Sequence, residues 1–236
     1  MEVLKDLFFP KKCVSCHKYG SYLCSKCLNL ISVCSSRICP ECGKPAPFGM
    51  VHFSCKTKTS PEGLTTIFNY NGVVKKTILK FKYRFVSDLA KTIIELFLSC
   101  CGEDRAFSKF VNQKNVVLIP VPLHWQRKNW RGFNQAELLG KMIANKLGIS
   151  YISNLLLRIK NTKTQTMLKR EERLKNIKNA FDISQKTIPD ISISQYPNIL
   201  LFDDVWTTGA TMKEGAKVLK QQGFSKVWGL TLARGI

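Results

Sequence analysis

The run Ile199-Leu-Leu-Phe-Asp-Asp-Val-Trp-Thr-Thr-Gly-Ala-Thr-Met212 constrains the fold of this chain more than any other stretch. Ile199 to Phe202 are consecutive apolar residues, as in a short strand buried on both faces. Asp203 and Asp204 end that run. Thr207-Thr-Gly-Ala-Thr211 then makes a turn of small residues. Met212 to Gln222 is rich in helix formers and Gly223 stops it, so a helix is expected there. Strand, acid pair, small loop and helix in this order form a βα unit, and an α/β fold with a mainly parallel sheet is the expectation. The unit can also hold a ligand. Backbone N–H groups of a small loop at a helix N-terminus attract a phosphate, and threonine hydroxyls add donors. Carboxylates just before the loop can accept hydrogen bonds from sugar hydroxyls. The bland alternative is a tight turn beside an incidental acid pair; the order of the parts favours a site. Trp206, a bulky residue between acids and loop, either covers the pocket or packs.

A second constraint lies in the first sixty residues. Cys13-x-x-Cys16 is followed by Cys24-x-x-Cys27, and Cys39-x-x-Cys42 by His52-x-x-Cys55. Two such turns can close one tetrahedral site, so Cys13, Cys16, Cys24 and Cys27 form one expected Zn2+ site. Cys39, Cys42, His52 and Cys55 form a second, in which His52 replaces a cysteine and Cys34 competes as a ligand. One or two structural Zn2+ ions are therefore expected. Gly43 after Cys42 permits the left-handed turn that aims amides at sulfur. The alternative, free redox cysteines, suits this dense pairing poorly. So short a segment has little core of its own, so metal supplies its folding energy. Thr57-Lys-Thr-Ser-Pro61 reads as a linker. It divides the chain into a zinc-binding module, residues 1–60, and a larger domain, residues 61–236.

The chain has 236 residues, enough for one α/β domain plus this appendage. The formal net charge is +21, which suits polyanionic partners such as nucleic acid, phosphorylated small molecules or an anionic membrane surface. A lysine-solvated surface explains the charge equally well. No run of about 18 apolar residues occurs, so no integral membrane protein is expected. The first ten residues lack the form of a signal peptide, and a cytoplasmic location is the expectation.

Between module and loop, Leu64 to Tyr70 reads as a strand and Asn71-Gly72 as a turn. Val73 to Phe85 reads as an amphipathic helix with Val74, Ile78 and Phe81 on its apolar stripe. Its basic residues, Lys82 among them, cover the opposite face, either solvated or, with the aromatics, as a surface for single-stranded nucleic acid. A helix is expected from Ser87 to about Ser99, with Cys100 and Cys101 as packing residues. Val116 to Pro122 reads as a buried strand. His124 to Gly132 follows as a loop carrying Arg127, Lys128 and Arg131, and a helix runs on from an Asn134 cap, with Glu137 at the capping-box position, to Gly148. The cations would stand at the carboxyl edge of a sheet, where a pyrophosphate would find them. Leu155 to Arg158 reads as a short strand, residues 161–179 as a basic mobile loop, Ala180 to Ile183 as a return toward the sheet, Pro189 to Pro197 as a turn, and Val227 to Ala233 as the last strand.

The run from Ile199 to Met212 closely resembles the phosphoribosyl-pyrophosphate (PRPP) loop of type I phosphoribosyltransferases. That resemblance implies Asp203 and Asp204 on the ribose hydroxyls, and Thr207, Thr208, Gly209, Ala210 and Thr211 on the 5′-phosphate. Across nearly its whole length the chain is similar to the ComF family of competence proteins. The likeness rests on the paired zinc motifs from Cys13 to Cys55, Tyr70-Asn-Gly72 with Leu79-Lys-Phe-Lys-Tyr83, Pro120-Val-Pro-Leu123, Arg131-Gly-Phe-Asn-Gln135, Lys163-Thr-Gln165 with Glu172, Arg173 and Asn176, Ala180-Phe181 and the PRPP-type loop. It implies a double zinc ribbon-like module on a type I phosphoribosyltransferase-like core, a role in DNA uptake and natural transformation, and competence-machinery proteins as partners. His52 and Trp206 depart from the pattern.

Two functions follow. One is a phosphoribosyltransferase that binds PRPP or a related ribose phosphate with Mg2+, with Arg127 and Arg131 on the pyrophosphate, the 161–179 loop closing over the site, and the acceptor not legible. No catalytic base stands out. The other is a non-enzymatic single-stranded DNA-binding protein that keeps the PRPP site as a sensor or vestige; the charge, Trp125, Trp130, Phe81 and Tyr83 favour it.

Overall fold

The computed structural model describes residues 10–83, 87–162, 170–187 and 198–235. Five strands form one wholly parallel sheet in the order β1-β7-β6-β2-β3: β1 (Gly63–Asn69), β7 (Lys226–Arg234), β6 (Asn198–Trp206), β2 (Val116–Pro120) and β3 (Ser150–Tyr151). Both faces are covered, which is why the strands read as continuous apolar runs. Alternate residues serve opposite faces. Leu200 and Phe202 of β6 join Val116 and Leu118 in a core shared with α2 (Gly72–Tyr83), α3 (Ser87–Cys101), α4 (Arg105–Val111) and α6 (Gln135–Leu147). Ile199 and Leu201 join Val117 and Ile119 against α8 (Ala210–Gln221) on the other face. Each large side chain so buried contributes about 1.5–3 kcal/mol.

The expected strand β6 extends further than its apolar run. It continues through the acid pair to Trp206, paired there with β7 alone, because Asp203, Val205 and Trp206 match Thr231, Ala233 and Arg234 after β2 has ended at Pro120. Residues 155–158, expected as a short strand, and 180–183, expected to return toward the sheet, form a separate antiparallel hairpin of β4 (Leu156–Arg158) and β5 (Phe181–Ile183). The expected loop 124–132 is a short helix, α5 (Trp125–Arg131), capped by His124 and ended by Gly132 in the left-handed conformation. Part of the expected 161–179 loop is also helical: α7 (Arg170–Ile177) seats Ile177 in the core. Residues 163–169, 84–86 and the Pro189 to Pro197 turn lie outside the described residues, as do residues 1–9. A helix from Asn134 to Gly148 forms as expected; the Glu137 carboxylate meets the Asn134 side chain and Lys128.

The N-terminal module, which carries the short helix α1 (Ser25–Leu28), is not on a free linker. Thr57 and Ser60 hydrogen-bond each other, and the Glu62 amide already donates to Val227 of β7. Val33 bridges Phe68 antiparallel, Cys34 N–H donates to Ile67, and Asn69 N–H to Ser32. The module thus covers the outer edge of β1 and satisfies main-chain groups that would otherwise be open to another strand. Arg37 pairs with buried Asp104 at 3.1 Å, and Glu41 with Lys213 of α8 at 3.7 Å. No helix among the described residues is long and apolar enough to cross a membrane.

Candidate functional site

The two expected metal sets each converge. The ligand atoms of Cys13, Cys16, Cys24 and Cys27 all lie within 4.8 Å of one another, as do those of Cys39, Cys42, His52 and Cys55. Cys16 and Cys24 sulfurs are 3.6 Å apart, and Cys42 Sγ is 3.4 Å from His52 Nδ1. Tetrahedral Zn2+ with ordinary bond lengths requires separations of about 3.8 Å between sulfurs and about 3.6 Å from sulfur to nitrogen. His52 Nε2 lies 3.0 Å from the Pro45 carbonyl. Donation there leaves the Nδ1 lone pair for the metal, the usual support of a ligating histidine. Cys34 is elsewhere, buried beside Asn69 and Thr66 of β1, and does not compete. Gly43 has φ 73°, as its place after Cys42 requires. Burial raises the Cys13 thiol, but amides of Cys16, Cys24 and Ser15 outweigh it and bring it down to about 6. Burial and the other three thiols push Cys27 up to about 12. One thiol of the set thus ionises readily and another resists, so a bound cation is what would hold all four together as thiolates.

The second centre lies where the sheet changes direction. The chain passes outward from β2 to β3 on one side and from β6 to β7 on the other, so the crevice beyond the carboxyl ends of β2 and β6 is the switch point at which open α/β sheets bind ligands. Asp203 and Asp204 stand on the overshooting end of β6. Asp204 N–H donates to Asp203 Oδ1 at 2.8 Å. Burial first, and then Asp204, raise the Asp203 carboxyl to about 7. The Thr207–Thr211 turn follows directly. Gly209 has φ 75°, and a Cβ there would lie 2.2 Å from Trp206 Cζ2. Trp206 therefore packs: its indole is buried beneath the turn and fixes the loop from below. Helix α8 starts at Ala210, two residues earlier than the apolar pattern suggested, so the turn leads straight into a helix N-terminus.

The cations gather around this pair unequally. Arg131 is half-buried and its guanidinium, lowered by burial, lies within the influence of Asp204 and Tyr83; Nη1 donates to Gln135 Oε1 at 2.8 Å. Arg127 donates to the Thr162 carbonyl. Lys128 turns aside to Glu137 at 2.9 Å. Two residues that the sequence reading did not place here join them. Lys82, read as part of a basic face that is either solvated or a surface for nucleic acid, forms an ion pair with Asp204 at 3.0 Å, with side chains only 23% and 13% exposed. Burial lowers the Lys82 ammonium, and Asp204 more than compensates. Arg158, at the end of β4, is brought down to about 10 by burial and by Arg127, with Asp203 acting the other way. Helical periodicity places Lys82 opposite the apolar stripe but cannot say that another element covers that spot. Lys82 sits in the quoted Leu79-Lys-Phe-Lys-Tyr83 block, which was the available signal; Arg158 had none. Near the same mouth Tyr83, Trp125 and Trp130 are 67%, 62% and 75% exposed.

The fold and its centres define a class: a parallel α/β protein with a charged switch-point site and an N-terminal module carrying two zinc-ligand sets. A family model described as a double zinc ribbon domain matches residues 4–56. Competence protein F of Haemophilus influenzae is 31% identical over 236 residues, covering 96% of this chain and 99% of that protein. Competence protein ComFC of Bacillus subtilis is 30% identical over 85% of this chain and 79% of its own length. The DNA utilization protein YhgH of Salmonella typhimurium is 30% identical over 87% of each. The chain belongs to the ComF family of competence proteins, and it is a structural-zinc protein.

Proposed function

We propose that this chain binds PRPP at the switch point, with Mg2+, and transfers the phosphoribosyl group to an acceptor, with release of pyrophosphate, as part of DNA handling in natural transformation. The observation that carries the reading is one juxtaposition: an acid pair on the overshooting end of β6, followed at once by a small-residue turn at a helix N-terminus, with Lys82, Arg127, Arg131 and Arg158 around it. In it Asp203 and Asp204 hold the ribose hydroxyls. Thr207, Thr208, Gly209, Ala210 and Thr211 hold the 5′-phosphate, and Arg127 and Arg131 the pyrophosphate. The division at residue 60 separates the zinc module, 1–60, from the phosphoribosyltransferase-like part, 61–236, and the protein works in the cytoplasm.

Attack at the ribose C1 builds positive charge on the ring while pyrophosphate departs with negative charge. The acids steady the ring through its hydroxyls, and the arginines receive the leaving oxygens. Mg2+ takes oxygen ligands. Apart from the zinc sets, no group of three or more His, Cys, Asp or Glu ligands exists among the described residues. The ion would thus be held chiefly by the ligand's own oxygens with the acid pair beside it, and it would neutralise diphosphate charge. Calorimetry with PRPP and Mg2+ tests this. Wild-type chain should bind and Asp203→Asn/Asp204→Asn should lose at least ~10-fold in affinity; equal affinities would remove the assignment.

A second reading, single-stranded DNA binding with the PRPP site as sensor, is favoured by the exposed Tyr83, Trp125 and Trp130 beside the cations and by the +21 charge. Other competence proteins would then be its partners. Affinity for an unstructured oligonucleotide should fall steeply with salt as phosphate contacts are screened. Salt-independent binding would exclude it.

A further inference from the structure

Arg158 and Arg127 come from different elements, the β4–β5 hairpin and helix α5, yet both are fastened to one buried residue. Arg158 Nη2 donates to Thr162 Oγ1, and Arg127 Nη2 donates to the Thr162 carbonyl. The Arg158 guanidinium lies 5.7 Å from the centre of the Phe181 ring, so one of its faces is taken. Its Nε is buried with no hydrogen-bond partner among the described residues, and so is Nε of Arg131 on the same helix as Arg127. Among the described residues neither Arg127 nor Arg158 has a carboxylate within ion-pair distance, although Asp203 acts on Arg158 from further off. Drawing two guanidinium groups together out of water, with N–H donors left over, costs stability. An anion with several oxygens would offset that cost, because the planar fork of arginine matches carboxylate and phosphoryl oxygens.

We propose that Arg158 and Arg127, joined at Thr162, form an oxyanion subsite on the hairpin side of the acid pair, separate from the Thr207–Thr211 turn, that takes a phosphoryl or carboxylate group of a reactant. The subsite rests on the ribose-phosphate reading only for the identity of what lies beside it. The anion has two sources: the diphosphate of PRPP, or an anionic group on the second reactant.

The test uses the full-length, zinc-loaded chain in calorimetry with three probes. These are inorganic pyrophosphate, ribose 5-phosphate, and inorganic phosphate titrated into PRPP-saturated protein. Arg158→Gln should weaken pyrophosphate, or phosphate on the PRPP-loaded chain, by ~10-fold or more, and Arg158→Lys should recover part of it. Loss for pyrophosphate assigns the subsite to the departing diphosphate; loss confined to phosphate on the loaded chain assigns it to the second reactant. Ribose 5-phosphate should bind Arg158→Gln as it binds wild type, and should be lost in Asp203→Asn/Asp204→Asn. Wild type that takes pyrophosphate but not ribose 5-phosphate would end the PRPP reading and leave the subsite standing. Should Arg158→Gln not fold, judged by zinc content and thermal midpoint, Arg127→Gln gives the same readout. Unchanged affinity for both anions in the variant, or no binding of either by wild type, overturns the proposal.

Discussion

Asp203 is held between burial and Asp204, which raise its carboxyl to about 7, and the Asp204 amide, Lys82 and Arg158, which act against them. The folded chain keeps a proton that the unfolded chain releases near pH 4. Stability from this group is therefore lost as pH rises from about 4 through about 7. Asp203→Asn should raise the thermal midpoint at pH 7.5 by a few degrees, on the order expected for removing one buried charge, with the gain fading toward pH 4. Parallel midpoint-versus-pH curves for the two proteins would refute a raised carboxyl. The Lys82–Asp204 pair, at 3.0 Å and mostly covered, permits a second measurement. Lys82→Met should cost about 1–3 kcal/mol in urea unfolding, much of it recovered by adding Asp204→Asn, since the first change leaves a covered charge unpaired. Additive losses would mean the pair is not coupled.

At the scale of elements, the Ile199–Phe202 run, the acids and the Thr207–Thr211 turn were legible in order because buried-strand hydrophobicity, small turn residues and helix formers are local properties. The end of β6 was not. Asp203 and Val205 are in a strand because β7 supplies hydrogen bonds on one side, a fact of pairing rather than of propensity. Likewise His124 to Gly132 looked like a loop but closes into α5, where Lys128 meets Glu137 and a left-handed Gly132 ends the turn. The phosphate-type turn depends on the Trp206–Gly209 contact. Gly209→Ala places a Cβ 2.2 Å from the indole at φ 75° and should cost about 2–4 kcal/mol with loss of ribose 5-phosphate binding. Adding Trp206→Val should relieve the overlap but not the backbone strain, so denaturant midpoints should recover only in part. Full recovery would show that the left-handed conformation is not required.

Over the whole molecule, the zinc module is part of how the sheet is finished. Its backbone covers β1, and Arg37–Asp104 and Glu41–Lys213 fasten it beside and behind the strands. Metal analysis should find two zinc ions per chain, and one in His52→Ala. Chelation should lower the thermal midpoint and bring on light scattering as the β1 edge opens. An unchanged midpoint after complete zinc removal would show that the module contributes nothing to the fold. By itself the sequence determined the α/β class, both zinc-ligand sets and the acid-pair-and-turn of the candidate site, because ligand spacing, strand hydrophobicity and turn chemistry act between near neighbours in the chain. Only the tertiary structure decided that Lys82 meets Asp204, that Arg158 meets Arg127 at Thr162, and that Trp206 supports the turn. Lys82–Asp204 and Arg127–Thr162 join residues far apart in sequence, which meet only when helices and hairpin pack around the sheet edge; Trp206 and Gly209 are near neighbours, but their contact depends on the left-handed turn between strand and helix.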